Sequence, residues 1–323
     1  MQTPTNIITG FLGSGKTTAI LNLLKEKPAD QNWAVLVNEF GEIGIDGAIL
    51  TEQGTLVKQV PGGCMCCAAG VPTSVAITSL LRSKPDRLII EPTGLGHADK
   101  ILATLMSDQF KDHIDLRATI AMVDPRNLSD SKYLSNDNFV EQLKIADIVI
   151  GNKTDLCLSS DIDAFNAWIT VQKPSKTYWQ LVKQSKFPSE ILDNIRRIQP
   201  SDTHTEHAHH HHATPPLALK SGQHSLRREN SGQGYYSCGW LFSSQVEFCF
   251  DQLFSMLSDL SAERIKGVMK TDKGYMTLNI SSGVVSITKA TISTGDSRIE
   301  VIDSQQLPWD QLDKLLQQLG GLS

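Results

Sequence analysis

The chain has 323 residues, of which 40% are hydrophobic and 20% charged, and its formal net charge is −5. That length is enough for two ordinary domains with buried cores, and the composition is that of a globular protein in water. The mildly acidic balance gives no electrostatic reason to expect nucleic acid as a partner, and no apolar run approaches the roughly 18 residues that cross a bilayer.

The first predicted strand, Asn6–Thr9, runs directly into Gly10-Phe-Leu-Gly13-Ser14-Gly15-Lys16-Thr17, and a helical pattern follows over Lys16–Lys25. A strand this early leaves no room for a cleavable export signal, so the expected compartment is the cytoplasm or an organelle matrix, where thiols stay reduced. A glycine-rich loop between strand and helix turns its backbone N–H groups toward an anion, assisted by the helix N-terminus. The expected nucleotide-binding set is Gly10, Gly13, Ser14, Gly15, Lys16, Thr17 and Thr18. Lys16 would reach the β- and γ-phosphates and act in catalysis, and the Thr17 hydroxyl would ligate Mg²⁺, which prefers oxygen.

The next strands, Trp33–Asn38 and Thr55–Val60, precede candidate metal ligands. Glu39 and Glu42 follow the first, and Cys64-Met-Cys66-Cys67 follows the second after Gly62-Gly63. Thiolates suit soft ions such as Zn²⁺ and Cu(I). Three sulfurs around a four-coordinate ion leave one position for water, a carboxylate such as Glu42, or another protein's ligand. Structural zinc sites close with four ligands, so a set of three favours transfer.

A helix over Thr73–Leu81 leads to the strand Arg87–Glu91 and to Pro92-Thr93-Gly94. An acid at that strand end can hold the Mg²⁺ shell or orient a water, which makes Glu91 the second catalytic candidate. The Gly94 N–H could sense the terminal phosphate and release its loop when that phosphate is lost. After the strand Ala118–Asp124 and the helix Phe139–Ile145, the strand Ile148–Asn152 opens Asn152-Lys153-Thr154-Asp155. The Asp155 carboxylate can accept from both N1–H and the amino group of guanine; adenine lacks that donor pair and would leave the acceptors unpaired. Isolated Cys157, Cys238 and Cys249 read as core thiols.

Seven of the nine histidines lie between residues 200 and 232, a stretch with few large apolar groups that reads as a flexible linker. His207, His209, His210, His211 and His212 could capture Zn²⁺, Ni²⁺ or Co²⁺ there. Apolar patterning returns with a strand over Tyr236–Phe242, a helix over Val246–Leu257, short strands turning at Gly274 and at Ser282-Gly283, and a helix over Pro308–Leu319. The expected fold class is therefore α/β: a P-loop, doubly wound, mostly parallel sheet over residues 1–199, the linker 200–232, and a smaller α+β domain over 233–323.

Five motifs occur in one order: Gly-Phe-Leu-Gly-Ser-Gly-Lys-Thr, Asn38-Glu39-Phe40-Gly41, Gly63-Cys-Met-Cys-Cys67, Glu91-Pro-Thr-Gly94 and Asn152-Lys-Thr-Asp155. Together they resemble the CobW-like metallochaperone GTPases, relatives of the GTPases that deliver nickel to hydrogenase and urease. Ser261-Ala-Glu-Arg264-Ile-Lys266-Gly267-Val268 is similar to that family's short basic motif in the C-terminal domain. The resemblance implies binding of GTP and GDP, slow hydrolysis, zinc or cobalt at the cysteine motif, and transfer to a client metalloprotein, with self-association a further expectation. The chain departs from the family at Ala68-Ala-Gly70, where Ser-x-Arg is common, and at Gly96-His-Ala-Asp-Lys100, which lacks a proline. The final guanine-contacting loop has only Lys173-Pro-Ser-Lys176 as a candidate.

On this reading GTP with Mg²⁺ orders Asn38–Asp46 and Gly94–Lys100 around the thiolates, and hydrolysis loosens them. Two alternatives stay open at this point. One is a P-loop kinase of a small metabolite with structural cysteines. The other is a passive metal buffer in which nucleotide only stabilises the fold.

Overall fold

The structure, a computed structural model, describes residues 2–40, 56–62, 71–94, 98–172, 175–198, 219–232, 234–281, 284–290 and 295–322. It falls into two compact units, the first holding the phosphate loop and the second the C-terminal strands.

In the first unit β1 (Thr3–Thr9), β2 (Trp33–Phe40), β3 (Leu56–Gly62), β4 (Arg87–Glu91), β5 (Ile114–Leu116), β6 (Ile120–Val123), β7 (Ile148–Gly151) and β8 (Tyr178–Leu181) share one sheet. Its order is β3-β2-β4-β1-β6-β7-β8, with β5 also paired to β1. Pairing is parallel from β2 through β4, β1, β6 and β7 to β8. Leu88, Ile89 and Ile90 are all fully buried, as continuous apolar runs are in a sheet covered on both faces. The helix α1 (Lys16–Glu26) buries Ala19, Ile20, Leu23 and Leu24, a three-and-four spacing that places one stripe on the sheet. The helices α2 (Val71–Leu81) and α3 (Ala98–Leu105) close a core over Ile7, Leu36, Leu88 and Ile90 with Ile77, Leu80, Ile101 and Leu102. Further helices are α4 (Ser131–Leu134), α5 (Asp137–Ile145) and α6 (Ser159–Gln172).

At the amino ends of the strands the chain ties a knot. Arg87 donates to Asn6 Oδ1 at 2.8 Å and to the Leu192 carbonyl at 3.2 Å, and pairs with Asp193. Asn6 Nδ2 donates to the carbonyls of Ala118 and Leu192. The fully buried Asp147 carboxylate accepts from the N–H groups of Thr119, Arg197 and Ile198 at 2.8–2.9 Å. Residues 192–198 are thus fastened beneath the sheet, away from the phosphate loop. These bonds bring a buried carboxylate and a mostly buried guanidinium partners enough to offset their desolvation.

The second unit is a six-stranded antiparallel sheet of β9 (Ser225–Gly232), β10 (Tyr235–Phe242), β11 (Arg264–Thr271), β12 (Gly274–Ser281), β13 (Val284–Lys289) and β14 (Ser297–Asp303), ordered β13-β12-β11-β14-β10-β9. Its core joins Trp240, Phe242, Ile265, Met269, Leu278, Ile299 and Val301 to Leu253 and Leu257 of α7 (Phe250–Asp259) and to Trp309, Leu312 and Leu316 of α8 (Trp309–Leu319). Trp240 meets the Trp309 ring edge-on at 6.2 Å and donates its indole N–H to Asp313.

Sequence patterning misses several elements. The stretch expected as a linker to residue 232 contains β9, paired residue for residue with β10 from Ser225–Phe242 to Gly232–Tyr235. Its sequence, SLRRENSG, has a single large apolar side chain. It holds its place as an edge strand through backbone bonds and through Arg227, which pairs with Glu229 and Asp310. The α7 helix starts at Phe250 rather than Val246, because Phe248 is fully buried and exchanges backbone bonds with Lys270 and Asp272. The helix α6 and the short strands β5 and β8 carry too little periodicity to be singled out, whereas α3 is short but buries Ala98, Ile101, Leu102 and Leu105 at helical spacing. The turn at Ser282-Gly283 lies outside the described residues.

On the face opposite Ile299 and Val301, Glu300 lies directly across from Lys266 and is buried. Burial pushes its carboxyl up to about 8 against the pull of Arg264 and Lys266. Between about pH 4.5 and 8 the unfolded chain has released this proton and the folded chain has kept it. The contribution of Glu300 is thus fully present below the lower value and lost as pH rises through the upper one. Glu300→Gln cannot ionise, so its melting temperature relative to the wild type should climb from pH 5 to pH 8, read by circular dichroism. A constant difference across that range would contradict the assignment.

Candidate functional site

The carboxyl ends of β1, β4, β6 and β7 lie side by side, and their following loops converge. Such an end is where parallel sheets bind ligands. Gly10, Gly13 and Gly15 all have positive φ, so the loop between β1 and α1 curls in a way that side-chain-bearing residues resist. At Gly15 a Cβ would stand 2.4 Å from Asn152 Nδ2 and 2.5 Å from Ser185 Oγ, so only glycine fits there. Ser14 Oγ is buried and, among the described residues, has no hydrogen-bond partner. A buried hydroxyl of this kind, inside a loop that turns its backbone to an anion, fits a phosphate group.

Lys16 is buried, and its Nζ donates to the carbonyls of Gly10 at 2.8 Å and Phe11 at 3.2 Å, which keeps the ammonium inside the loop. Thr17 Oγ1 donates to Glu91 Oε1 at 2.9 Å. Glu91 is buried at the end of β4, so a strand end and a helix start present two hard oxygens side by side. That donor set fits Mg²⁺, which takes oxygen ligands and retains waters. Thr18 is exposed on the first turn of α1.

The second half of the site is organised by Asn152, which is 2% exposed. Its Nδ2 donates to the Ser14 carbonyl at 2.9 Å and to Ser185 Oγ at 2.7 Å, and its Oδ1 accepts from the Ser185 N–H at 2.8 Å. Ser185 Oγ in turn donates to the Gly15 carbonyl, and Asn22 of α1 donates to the carbonyls of Gln184 and Ser185. One amide therefore sews the phosphate loop to the loop after β8. Gln184 and Ser185 sit at φ 54° and 55°, a conformation uncommon without glycine that these bonds hold in place.

Lys153 is also left-handed, at φ 63°, and its Nζ lies 3.5 Å from Asp124. Burial pulls the Lys153 ammonium below its usual range, and Asp124 opposes that pull. Asp124, at the end of β6, also grips Arg126 Nε at 2.9 Å and its terminal nitrogen at 2.7 Å, which raises the guanidinium further. Asp155 is exposed on the short helical turn Thr154–Leu156, with the Thr154 hydroxyl bonded to the Val182 carbonyl. Its carboxylate is available to a purine edge.

The structure thus brings together Gly10, Gly13, Ser14, Gly15, Lys16, Thr17, Glu91, Asn152 and Lys153, with Gly94 against Leu12 of the phosphate loop. Cys64, Cys66, Cys67, Glu42 and His207, His209, His210, His211 and His212 lie outside the described residues, as does the side chain of Glu39 at the end of β2. Among the described residues no group of three or more Cys, His, Asp or Glu could hold a metal. Of the cysteines expected in cores, Cys238 is fully buried, whereas Cys157 and Cys249 are half-buried.

Sequence reasoning missed Ser185, Asn22, Asp124 and Gln142, which donates to the Gly94 carbonyl. The candidate for the last base-contacting loop is corrected. Lys176 is buried and donates to the carbonyls of Leu143, Lys144 and Ala146, capping α5, and burial pushes its pKa down to about 8. The loop that reaches the site is the one holding Ser185. The signal was hidden because β8, Tyr-Trp-Gln-Leu, does not read as a buried strand.

The chain matches the family described as CobW/HypB/UreG, nucleotide-binding domain, over residues 4–180. It is 43% identical to "Zinc chaperone YeiR" of Escherichia coli (strain K12) over 325 residues, 98% of each chain. It is 32% identical to "Zinc chaperone YjiA" of the same organism over 46% of this chain and 49% of that one. It is 27% identical to "Zinc chaperone CobW" of a Sinorhizobium species over 64% and 66%. No helix among the described residues is long and apolar enough to cross a membrane.

Asn152→Ala deletes three buried hydrogen bonds and takes from the Ser14 carbonyl and the Ser185 N–H the partner that Asn152 supplies. At about 1 kcal/mol per bond the first unit should lose about 3 kcal/mol, measured by urea unfolding followed at Trp33 or Trp179. An unchanged midpoint would show that the amide does not bind the two loops together.

Proposed function

We propose that this chain, which belongs to the CobW/HypB/UreG family of nucleotide-binding proteins, is a GTPase that carries zinc and hands it to a client protein under the control of its nucleotide. The observation that carries the nucleotide half is the 2.9 Å bond from Thr17 to Glu91 beside the phosphate loop. It gathers the hard-oxygen donors for a magnesium–triphosphate complex at the end of the sheet where backbone N–H groups already converge.

Each residue then has a task. The loop from Gly10 to Thr17 binds the phosphates through its N–H groups, and Lys16 shifts from its own loop's carbonyls onto the β- and γ-phosphates. Thr17 and Glu91 would hold Mg²⁺, which when bound would supply neutralising charge to the phosphate oxygens. Glu91, with Gly94 three residues on, orients the attacking water and registers the terminal phosphate. Asp155 selects guanine, with Lys153 and the Ser185 loop fixing the pocket around the base.

The cargo half rests on chemistry and kinship. Cys64, Cys66 and Cys67 follow β3 within five residues of its end at Gly62, and three thiolates suit Zn²⁺ with one position left for exchange. Co²⁺ is the next candidate ion, with Glu39, Glu42 and the histidines 207 and 209–212 as auxiliary ligands. Relatives named zinc chaperones support zinc as cargo. Exchange of this kind needs reduced thiols, which fits a reducing compartment such as the cytoplasm.

Coupling requires that GTP and metal change each other's affinity by one factor. A hundredfold factor corresponds to about 2.7 kcal/mol, within reach of two or three charge-assisted hydrogen bonds. Titrating Zn²⁺ into GTP-analogue-loaded and GDP-loaded protein by calorimetry should give different affinities, and Cys66→Ala should abolish both. Equal affinities would reduce the protein to a metal buffer that happens to bind nucleotide. Separately, Asp155→Ala should lose about 2–3 kcal/mol of GTP binding while leaving weak ATP binding where it was, because only guanine uses that carboxylate. Competition by fluorescent nucleotide reads both numbers.

A further inference from the structure

The helix α5 carries a polar residue that the reaction described so far does not use. Gln142 is 1% exposed, and its Nε2 donates to the carbonyl of Gly94 at 3.1 Å. On its other side Gly94 lies flat on the phosphate loop. A Cβ there would stand 2.8 Å from Leu12 Cδ2, 2.9 Å from Leu12 N and 3.1 Å from Leu12 Cα. Gly94 is therefore gripped from two directions, by backbone contact with the phosphate loop and by the amide of Gln142.

The helix that supplies this amide is itself well fixed. Asn136 caps its start by accepting from the Phe139 N–H at 3.1 Å. Lys176 caps its end through the carbonyls of Leu143, Lys144 and Ala146. Phe139 packs edge-on against Phe11 of the phosphate loop, with ring centroids 5.8 Å apart, and Tyr133 of α4 meets the same ring at 5.5 Å. Phosphate loop, Gly94 and α5 thus form one closed triangle of contacts, with Gln142 as the side that reaches Gly94.

We propose that Gln142 is a positioning residue for terminal-phosphate recognition: by holding the Gly94 carbonyl, it sets Gly94 where its N–H can meet the γ-phosphate. The inference rests on the assignment of Gly94 to that phosphate. A diphosphate offers Gly94 nothing, so the effect of Gln142 is confined to the triphosphate state. An amide lost from the interior only for its packing would lower both affinities together.

The test uses the full-length chain and compares binding of GDP and of a non-hydrolysable GTP analogue by fluorescence titration. Gln142→Met keeps the length of the side chain and removes the donor. Analogue affinity should fall five- to tenfold, as for one neutral hydrogen bond, with GDP affinity unchanged even if the lost bond lowers the melting temperature. Gln142→Asn, which keeps the amide one methylene short, should show the same selective loss and serves if the Met variant does not fold. Equal losses for both nucleotides, or no loss for the analogue, would overturn the role. If the analogue protects the Gly94 amide from hydrogen exchange no better than GDP does, the assignment of Gly94 itself fails, and the inference falls with it. If it binds neither, the nucleotide site as a whole has been misread.

Discussion

Much of the first unit's chemistry depends on a single side-chain amide. Asn152 is the first residue of the motif proposed to read the base, yet its side-chain hydrogen bonds run to the scaffold: Ser14 on one side and Ser185 on the other. An asparagine can do this because it offers donor and acceptor at fixed separation on one rigid plane. In the interior, where an unmade bond costs more than a made one gains, such a bridge specifies a single arrangement. The phosphate end and the base end of the site therefore form one structural object before any ligand enters.

The same economy appears around Asp124 and Gly94. Asp124 holds Arg126 through two nitrogens and steadies Lys153, so a strand-end carboxylate orients a residue of the neighbouring loop. Gly94 is steadied by Leu12 and Gln142. In each case a residue far away in sequence, brought close by the parallel order of β4, β1, β6 and β7, fixes a group proposed to meet nucleotide. A loop at the end of a parallel sheet gains precision from its neighbours across the strands.

The sequence made the proposed ligands legible and left the supports hidden, for a physical reason. Gly10 to Thr17, Glu91 and Asn152 to Asp155 are constrained by the geometry of phosphate, metal and purine, so their types and spacing recur as words. Ser185 and Gln142 are constrained only by where the fold brings them. Any serine in a loop or glutamine in a helix looks the same until the strands are ordered. The fold class was readable from the alternation of apolar runs and helical stretches. The strand β9 was not, because an edge strand rich in Arg, Glu and Asn has no apolar period to betray it, and its partners, Asp310 and the backbone of β10, lie elsewhere in the chain.

The knot at the amino ends of the strands has a mechanical meaning. Residues 192–198 are the last described segment before the chain leaves the first unit, and they are clamped by Arg87, Asn6 and Asp147 beneath β4, β1 and β7. Several charge-assisted bonds act in parallel there, at the sheet's floor, so no single one carries the attachment. The phosphate loop lies at the opposite rim of the same sheet, so this segment is fastened without crowding the strand ends where the loops converge.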